Sequence, residues 1–175
     1  MSDAESLIKR FPHEVVRIDV PLKGTFDQAT QLYESIAPQK DFARVHQLVD
    51  AQASWDQVLE QVAENAPHGF MIYWRLPDTP LMRLAGDDYP FIGYLMGNHT
   101  VAQRMFHYHP AMMLHAPLRT VIYDRGDGSR FATDIPSSIF ASYGDPRITE
   151  VDRDLDRRLA HLLELLDAPV PEELR

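Results

Sequence analysis

The C-terminal part of the chain carries a stripe of large apolar residues at helical spacing. The members of the stripe are Val151, Leu155, Leu159, Leu162, Leu163 and Leu166. The charged positions on the opposite face are Asp152, Arg153, Asp156 and Arg157. Burying one large apolar side chain stabilises a fold by about 1.5–3 kcal/mol. The stripe therefore predicts an amphipathic helix that anchors the C-terminal end of the chain to a sheet.

The remaining pattern indicates that this sheet is mostly antiparallel. Two strand-like segments, Leu118 to Tyr123 and Arg130 to Ile135, flank Asp124–Gly128, whose residues are typical of a hairpin connection. Strands are also expected at residues 13–20, 70–76 and 89–97, and a turn at Pro77–Pro80. Because strands and helices do not strictly alternate, the sequence predicts an α+β fold, a two-layer sandwich with helices packed on one face of the sheet.

Helix starts are marked by side chains that can cap free backbone N–H groups. Thr25–Gln28 and Ser54–Gln57 have the form of capping boxes, and Asn98 is placed to cap a helix that runs to about Tyr108. The length of 175 residues fits one domain. We expect a disordered N-terminus at 1–12, a single α+β domain at 13–168 with a helical insertion at 40–66, and a tail at 169–175.

Composition excludes several classes of function. The net charge is −9, which argues against general binding to nucleic acid or to anionic membrane surfaces. The chain has no cysteine, so disulfides, zinc ribbons, iron–sulfur clusters and a cysteine nucleophile are ruled out. The acidic start has no apolar stretch after it, and no window approaches the roughly 18–20 apolar residues that span a bilayer. A soluble, cytoplasmic protein is expected.

Several motifs resemble one known prokaryotic family. They are Tyr94–Asn98, Ala116–Arg119 and Pro136–Phe140, with Gly144-Asp145-Pro146 before the terminal helix. Together they resemble the domain of unknown function 302, over roughly Phe70 to Leu166 and with Val15 to Ile36 as its opening strand and helix. The resemblance implies a two-layer α/β sandwich that commonly forms dimers, and it implies no established activity. His99 stands where that family usually has proline.

Four of the eight histidines lie within seventeen residues: His99, His107, His109 and His115. Imidazole binds metals and titrates near neutral pH, so metal binding, heme ligation and general base catalysis are all conceivable. The spacing matches no metal motif, and no metal or other cofactor is assigned. A cluster of surface or interface histidines at a helix end is the competing interpretation.

Two polar residues of the family-like motifs are candidates for ligand binding. Asn98 and Arg119 could hold an anionic or carbonyl group, or they could cap a helix and pair with a carboxylate. Aromatic and methionine residues could line a pocket, or form plain core or a dimer face. These residues are Tyr73, Trp74, Tyr94, Met105, Phe106, Met112 and Met113. The segment from Met105 to Leu114 has a composition suited to a subunit interface.

Three hypotheses follow. The leading one is a homodimeric, small-molecule-binding domain of unassigned activity. Its ligand-binding residues would be Tyr94, Asn98, His99, His107, His109, His115 and Arg119. The second is an enzyme that uses the histidine cluster for metal or heme binding, or one histidine as a general base. The third is a protein interaction module.

Overall fold

A five-stranded antiparallel sheet forms the centre of the computed structural model, which describes residues 7–76 and 80–175. The strands are β1 (Arg17–Pro21), β2 (Met71–Leu76), β3 (Phe91–Gly97), β4 (Leu118–Asp124) and β5 (Ser129–Asp134). Their order in the sheet is β1-β5-β4-β3-β2, and every neighbouring pair is antiparallel. Residues 1–6 of the segment predicted to be disordered (1–12) and residues 77–79 of the predicted turn (Pro77–Pro80) lie outside the described residues.

Seven α-helices are found among the described residues. They are α1 (Phe26–Ile36), α2 (Phe42–Asp50), α3 (Trp55–Asn65), α4 (Pro80–Arg83), α5 (His99–Phe106), α6 (Pro136–Phe140) and α7 (Pro146–Leu165). Three 3-10 segments, Pro110–His115, Ala141–Tyr143 and Glu172–Leu174, complete the structure. With the antiparallel sheet, these helices confirm the predicted α+β class. No helix of the described ranges is long and apolar enough to cross a membrane.

Alternation along the strands explains why one face of the sheet is covered. In β4, Leu118, Thr120 and Ile122 are buried, whereas Arg119 between them is exposed. Neighbouring residues of a strand point to opposite faces, so the buried set forms the inner surface of the sandwich. Tyr33 of α1 illustrates the contact between the layers, because its hydroxyl hydrogen-bonds the Thr120 hydroxyl at 2.9 Å within the core.

Helix α7 is the longest of the described helices, with 20 residues, and its predicted apolar stripe is buried throughout. The prediction that Asp152 and Asp156 lie on the outer face is wrong. Asp152 is only 1% exposed and Asp156 is also buried. Helix α6 and the segment Glu172–Leu174 pack against α7 and cover a second side of it. Leu174, in the segment predicted to be a tail, belongs to the main core.

Both predicted capping boxes are present. The Thr25 and Ser54 side chains accept hydrogen bonds from the backbone N–H groups of Gln28 and Gln57, whose side chains bond back to the caps. Helix α2 buries a single side chain, that of Leu48. Helix α3 instead packs Val62 and Ala66 against Met71 and Tyr73 of β2, in a second, smaller apolar cluster.

Candidate functional site

A cavity of about 240 Å³ lies between α5, the adjoining ends of β3 and β4, and helices α6 and α7. It is lined by Tyr73, Gly97, Asn98, His99, Ala102, Met105, Met113, Ala116, Pro117, Leu118, Phe140 and Leu155. Most of these side chains are apolar. The Asn98–His99 junction and the start of β4 thus border one shared space, as the sequence hypothesis requires of a common site. The volume exceeds that of an apolar cavity able to hold benzene, about 150 Å³.

The polar end of the cavity consists of Tyr73 and His99. The Tyr73 hydroxyl and the His99 Nδ1 share a hydrogen bond of 2.9 Å. Their rings meet edge to face, with centroids 6.3 Å apart. Tyr73 reaches this position from β2, where the register shifts between Ile72 and Trp74. His99 is the first residue of α5. A ligand in the cavity would therefore meet one hydrogen-bonding pair in an apolar surface.

Both members of this pair are neutral near pH 7, and burial favours the neutral form of each. It raises the pKa of Tyr73 to about 12. The pKa of His99 is lowered, first by burial and then by the positive charge of Lys40. The Lys40 ammonium lies 4.5 Å from the Tyr73 ring centroid and 4.8 Å from that of Phe42. A neutral imidazole and phenol can donate and accept hydrogen bonds without binding a counter-ion.

Asn98 lines the cavity, but its side chain is engaged in holding the backbone. Its Oδ1 accepts hydrogen bonds from the backbone N–H groups of Thr100 and Val101, at 3.0 and 3.4 Å. The Thr100 hydroxyl donates to the same oxygen at 2.7 Å. The Asn98 amide nitrogen donates to the Gly69 carbonyl at 3.0 Å. The side chain thus caps α5 and ties it to the segment before β2.

Tyr94 and Arg119 lie outside the cavity lining. Tyr94 is buried against Tyr33, and its hydroxyl donates to Glu34 at 2.9 Å. Arg119 is exposed on the open face of the sheet. It forms no ion pair with the described carboxylates, so the expected pairing is not seen there either. These positions do not support the hypothesis that the Arg119 guanidinium binds a ligand together with Asn98.

The four clustered histidines do not form one site, although His109 and His115 both lie against Tyr143. His107 lines a polar cleft that also contains Arg104 and Arg147. The His109 ring lies 4.9 Å from Tyr143. His115 stacks edge to face on Phe140, and its pKa is lowered by burial and then by nearby positive charge. Of the four, only His99 lines the apolar cavity. Within residues 7–76 and 80–175, no group of three or more His, Cys, Asp or Glu side chains is placed to hold a metal ion.

Sequence reasoning named some of the lining residues and missed others. Tyr73, Met105 and Met113 were among the candidates for a pocket, whereas Tyr94 and Met112 belong to the core, and Trp74 and Phe106 are exposed. The missed residues are Gly97, Ala102, Ala116, Pro117, Leu118, Phe140 and Leu155. They are apolar residues from four different parts of the chain, and no local pattern distinguishes them from ordinary core.

The fold and cavity define a small α+β sandwich with an apolar pocket at a strand–helix junction. The family model described as "Domain of unknown function DUF302" matches residues 47–166, and the chain belongs to this family. The match begins inside the segment predicted to be an insertion. A crystal structure of an uncharacterised conserved DUF302 protein from Bacillus stearothermophilus has the same fold. It superposes with a TM-score of 0.61 at 16% identity, covering 86% of this chain and 97% of that one. No curated protein matches the chain.

Proposed function

We propose that the protein binds a compact, largely apolar small molecule that presents one hydrogen-bonding atom to Tyr73 and His99. The observation that carries this proposal is the cavity itself, whose apolar wall presents the Tyr73–His99 pair, while the third polar lining residue, Asn98, is engaged in capping α5. Binding sites for small molecules typically combine an apolar lining with a few placed polar groups. The modest volume favours a ligand of about ten non-hydrogen atoms.

Thermal unfolding with matched probes tests the proposal. Acetophenone and ethylbenzene have similar shapes, but only the first carries a carbonyl oxygen. We expect both to raise the melting temperature, and acetophenone to do so more. A ligand at a hundred times its dissociation constant adds about 2.7 kcal/mol to the free energy of unfolding. The Tyr73→Phe variant should abolish the difference between the two probes.

A cavity-filling variant provides the control for specific binding. Ala102 lies on α5 and lines the cavity, so Ala102→Leu should occupy part of the space and remove the stabilisation by either probe. Leu114 is 80% exposed and lies outside the cavity, so Leu114→Ala should respond like the native chain. Equal responses of native protein and Ala102→Leu would contradict the proposed site.

A second candidate function is a cofactor-free enzyme that uses His99 as a general base. The observation in its favour is that the imidazole, whose pKa is lowered by burial, is held by Tyr73 at the edge of an apolar cavity. If acetophenone binds, its methyl protons should exchange with deuterium from D₂O faster in the presence of the protein. His99→Gln should reduce this exchange at least tenfold. An unaccelerated exchange of the bound ketone would argue for binding alone.

We also propose that the protein forms a homodimer in the cytoplasm. The outer edge of β1, which pairs with β5 on one side only, supports an association between copies, as do the exposed side chains of Val15 and Val16 just before it. The absence of cysteine accords with a reducing compartment. Sedimentation equilibrium of the purified chain should give twice the monomer mass of 20.1 kDa. A single species at that monomer mass would contradict the dimer without affecting the ligand proposal.

A further inference from the structure

Strand β1 lies at the edge of the sheet, with β5 on one side only. The opposite edge strand, β2, is partly covered, because Ile72 exchanges backbone hydrogen bonds with Pro38 and Lys40. An open edge presents backbone N–H and C=O groups that can pair with a further strand. The segment before β1 also leaves Val15 and Val16 more than a third exposed.

The hydrogen bonds to β5 show which groups of β1 point outward. The Ile135 N–H donates to the Val16 carbonyl, and the Leu22 N–H donates to the Ser129 carbonyl, both at 2.8 Å. Even-numbered residues of this segment therefore face β5. In an antiparallel ladder the intervening residues direct their N–H and C=O groups to the other side. Arg17 and Asp19 are those residues.

The side chains of Arg17 and Asp19 share the exposed face of the strand, while Ile18 is buried. Asp19 is held in place, because its carboxylate accepts hydrogen bonds from Arg130 at 2.7 Å and Tyr123 at 2.5 Å. The Arg130 guanidinium also donates to the Asp19 carbonyl at 2.9 Å, which leaves that oxygen a second lone pair for a further strand. Arg17 forms no ion pair with any described residue. The Arg17 guanidinium, which has no ion-pair partner among the described residues, is thus two residues from the Asp19 carboxylate, which Arg130 and Tyr123 hold in place.

We infer that β1 pairs antiparallel with β1 of a second copy of the chain, about a two-fold axis at Ile18. This inference rests on the proposed homodimer and names its interface. Arg17 would lie opposite the partner's Asp19, and Asp19 opposite the partner's Arg17, in hydrogen-bonded positions of the ladder. Opposite charges at such cross-strand positions are favourable. The two sheets would join into one continuous sheet of ten strands.

Charge selects this register over its neighbours. Moving the axis to Asp19 would place two Asp19 carboxylates opposite each other, and moving it to Arg17 would oppose two guanidinium groups. Like charges directly opposite each other destabilise a pair of strands. A one-residue slip in the pairing of the two strands would turn the side chain of Ile18, which is buried, toward the exposed face of the sheet. The Ile18 axis is the arrangement in which backbone pattern, burial and charge agree, and in which Val16 lies opposite the partner's Val20.

Two charge-reversal variants test the register by sedimentation equilibrium of the full chain. In a dimer of the Arg17→Asp variant, both cross-strand pairs would place one aspartate opposite another. In a dimer of the Asp19→Arg variant, both pairs would place one arginine opposite another. We expect each variant alone to dimerise at least tenfold more weakly than the native chain. An equimolar mixture should recover the dimer, because both cross-strand pairs of the mixed dimer then join opposite charges.

Further variants separate failure of the edge from failure to fold. Arg17→Pro removes an outward-facing N–H at a position where an edge strand tolerates proline, and it should be monomeric with a native circular dichroism spectrum. Leu114→Glu, at an exposed position of the 3-10 segment Pro110–His115, should stay dimeric. A native dimer that survives Arg17→Asp and Arg17→Pro, or that Leu114→Glu dissociates instead, would overturn the β1 interface and leave the homodimer standing. A monomeric native chain would overturn both.

Discussion

Asp152 is a carboxyl group buried in the helical layer without full hydrogen bonding. Its Oδ1 has no partner among the described atoms. Burial, and then the negative charge of Asp156, raises its pKa to about 7. Asp156 is better satisfied, because the Ser137 backbone N–H donates to it at 3.0 Å. The unfolded chain would release the Asp152 proton near its ordinary pKa of about 3.9.

This difference makes the free energy of unfolding depend on pH. Between about pH 4 and 7 the folded state holds a proton that the unfolded state releases, so stability falls as pH rises through this range. We expect Asp152→Asn to remove much of that fall, and its advantage over the native chain to reach about 1–3 kcal/mol at about pH 8. Urea unfolding at several pH values measures it.

Asp154 provides a control with the opposite sign on the same helix. Its pKa is lowered overall, since Arg158 and Arg104 outweigh the effect of burial. The carboxylate lies 2.8 Å from the Arg104 guanidinium and 3.2 Å from that of Arg158. Asp154→Asn should therefore destabilise the protein at neutral pH and matter less as pH falls below about 4. Parallel pH profiles for the two variants would contradict both assignments.

Asn98 is expected to act on stability rather than on ligand selectivity. Asn98→Ala removes the acceptor for the first N–H groups of α5 and the donor to Gly69. Loss of such a cap costs about 0.5–2 kcal/mol. Asn98→Asp, which keeps the acceptor, should lose less. Chemical unfolding measures these losses of stability. If the Asn98→Ala variant kept the native stability but no longer distinguished acetophenone from ethylbenzene, Asn98 would be a ligand contact instead.

At the scale of elements, helix α7 secures the C-terminal half of the fold. Leu159 is completely buried at its centre. We expect Leu159→Asp to destabilise the protein by at least about 3 kcal/mol, because the variant buries an unpaired charge. Arg157→Ala, at an exposed position two residues away, should change stability by about 0.5 kcal/mol or less. Thermal unfolding compares them, and equal melting temperatures would show that the stripe does not anchor the helix.

The elements were largely predictable because their signals are local. Capping boxes at Thr25 and Ser54 and the cap at Asn98 each depend on atoms within three residues, so the helix starts follow from the sequence. The burial of Asp152 and Asp156 could not be read in this way. Their burial depends on α6 and on Leu174, which pack against α7 from other parts of the chain. The periodicity of α7 alone does not indicate that such neighbours exist.

At the scale of the whole molecule, the cavity arises where distant segments meet. The sequence indicated the Asn98–His99 junction and the start of β4 as neighbours, because both belong to family-like motifs. It did not indicate Phe140 or Leu155, which complete the wall. It also grouped four histidines of which only His99 lines the cavity, since closeness in the chain carries no information about which cavity a side chain enters.

Methionine methyl groups allow the ligand proposal to be tested inside the folded protein. Met105 and Met113 line the cavity. Met71 is buried in the smaller apolar cluster with Val62 and Ala66, and Met82 is exposed on α4. The most direct measurement is a titration of ¹³C-methyl-methionine protein with acetophenone, followed by NMR. We predict saturable shifts of the Met105 and Met113 signals, with Met71 and Met82 unchanged. Unchanged Met105 and Met113 signals at saturating acetophenone, or equal shifts at all four methionines, would contradict a ligand site in this cavity.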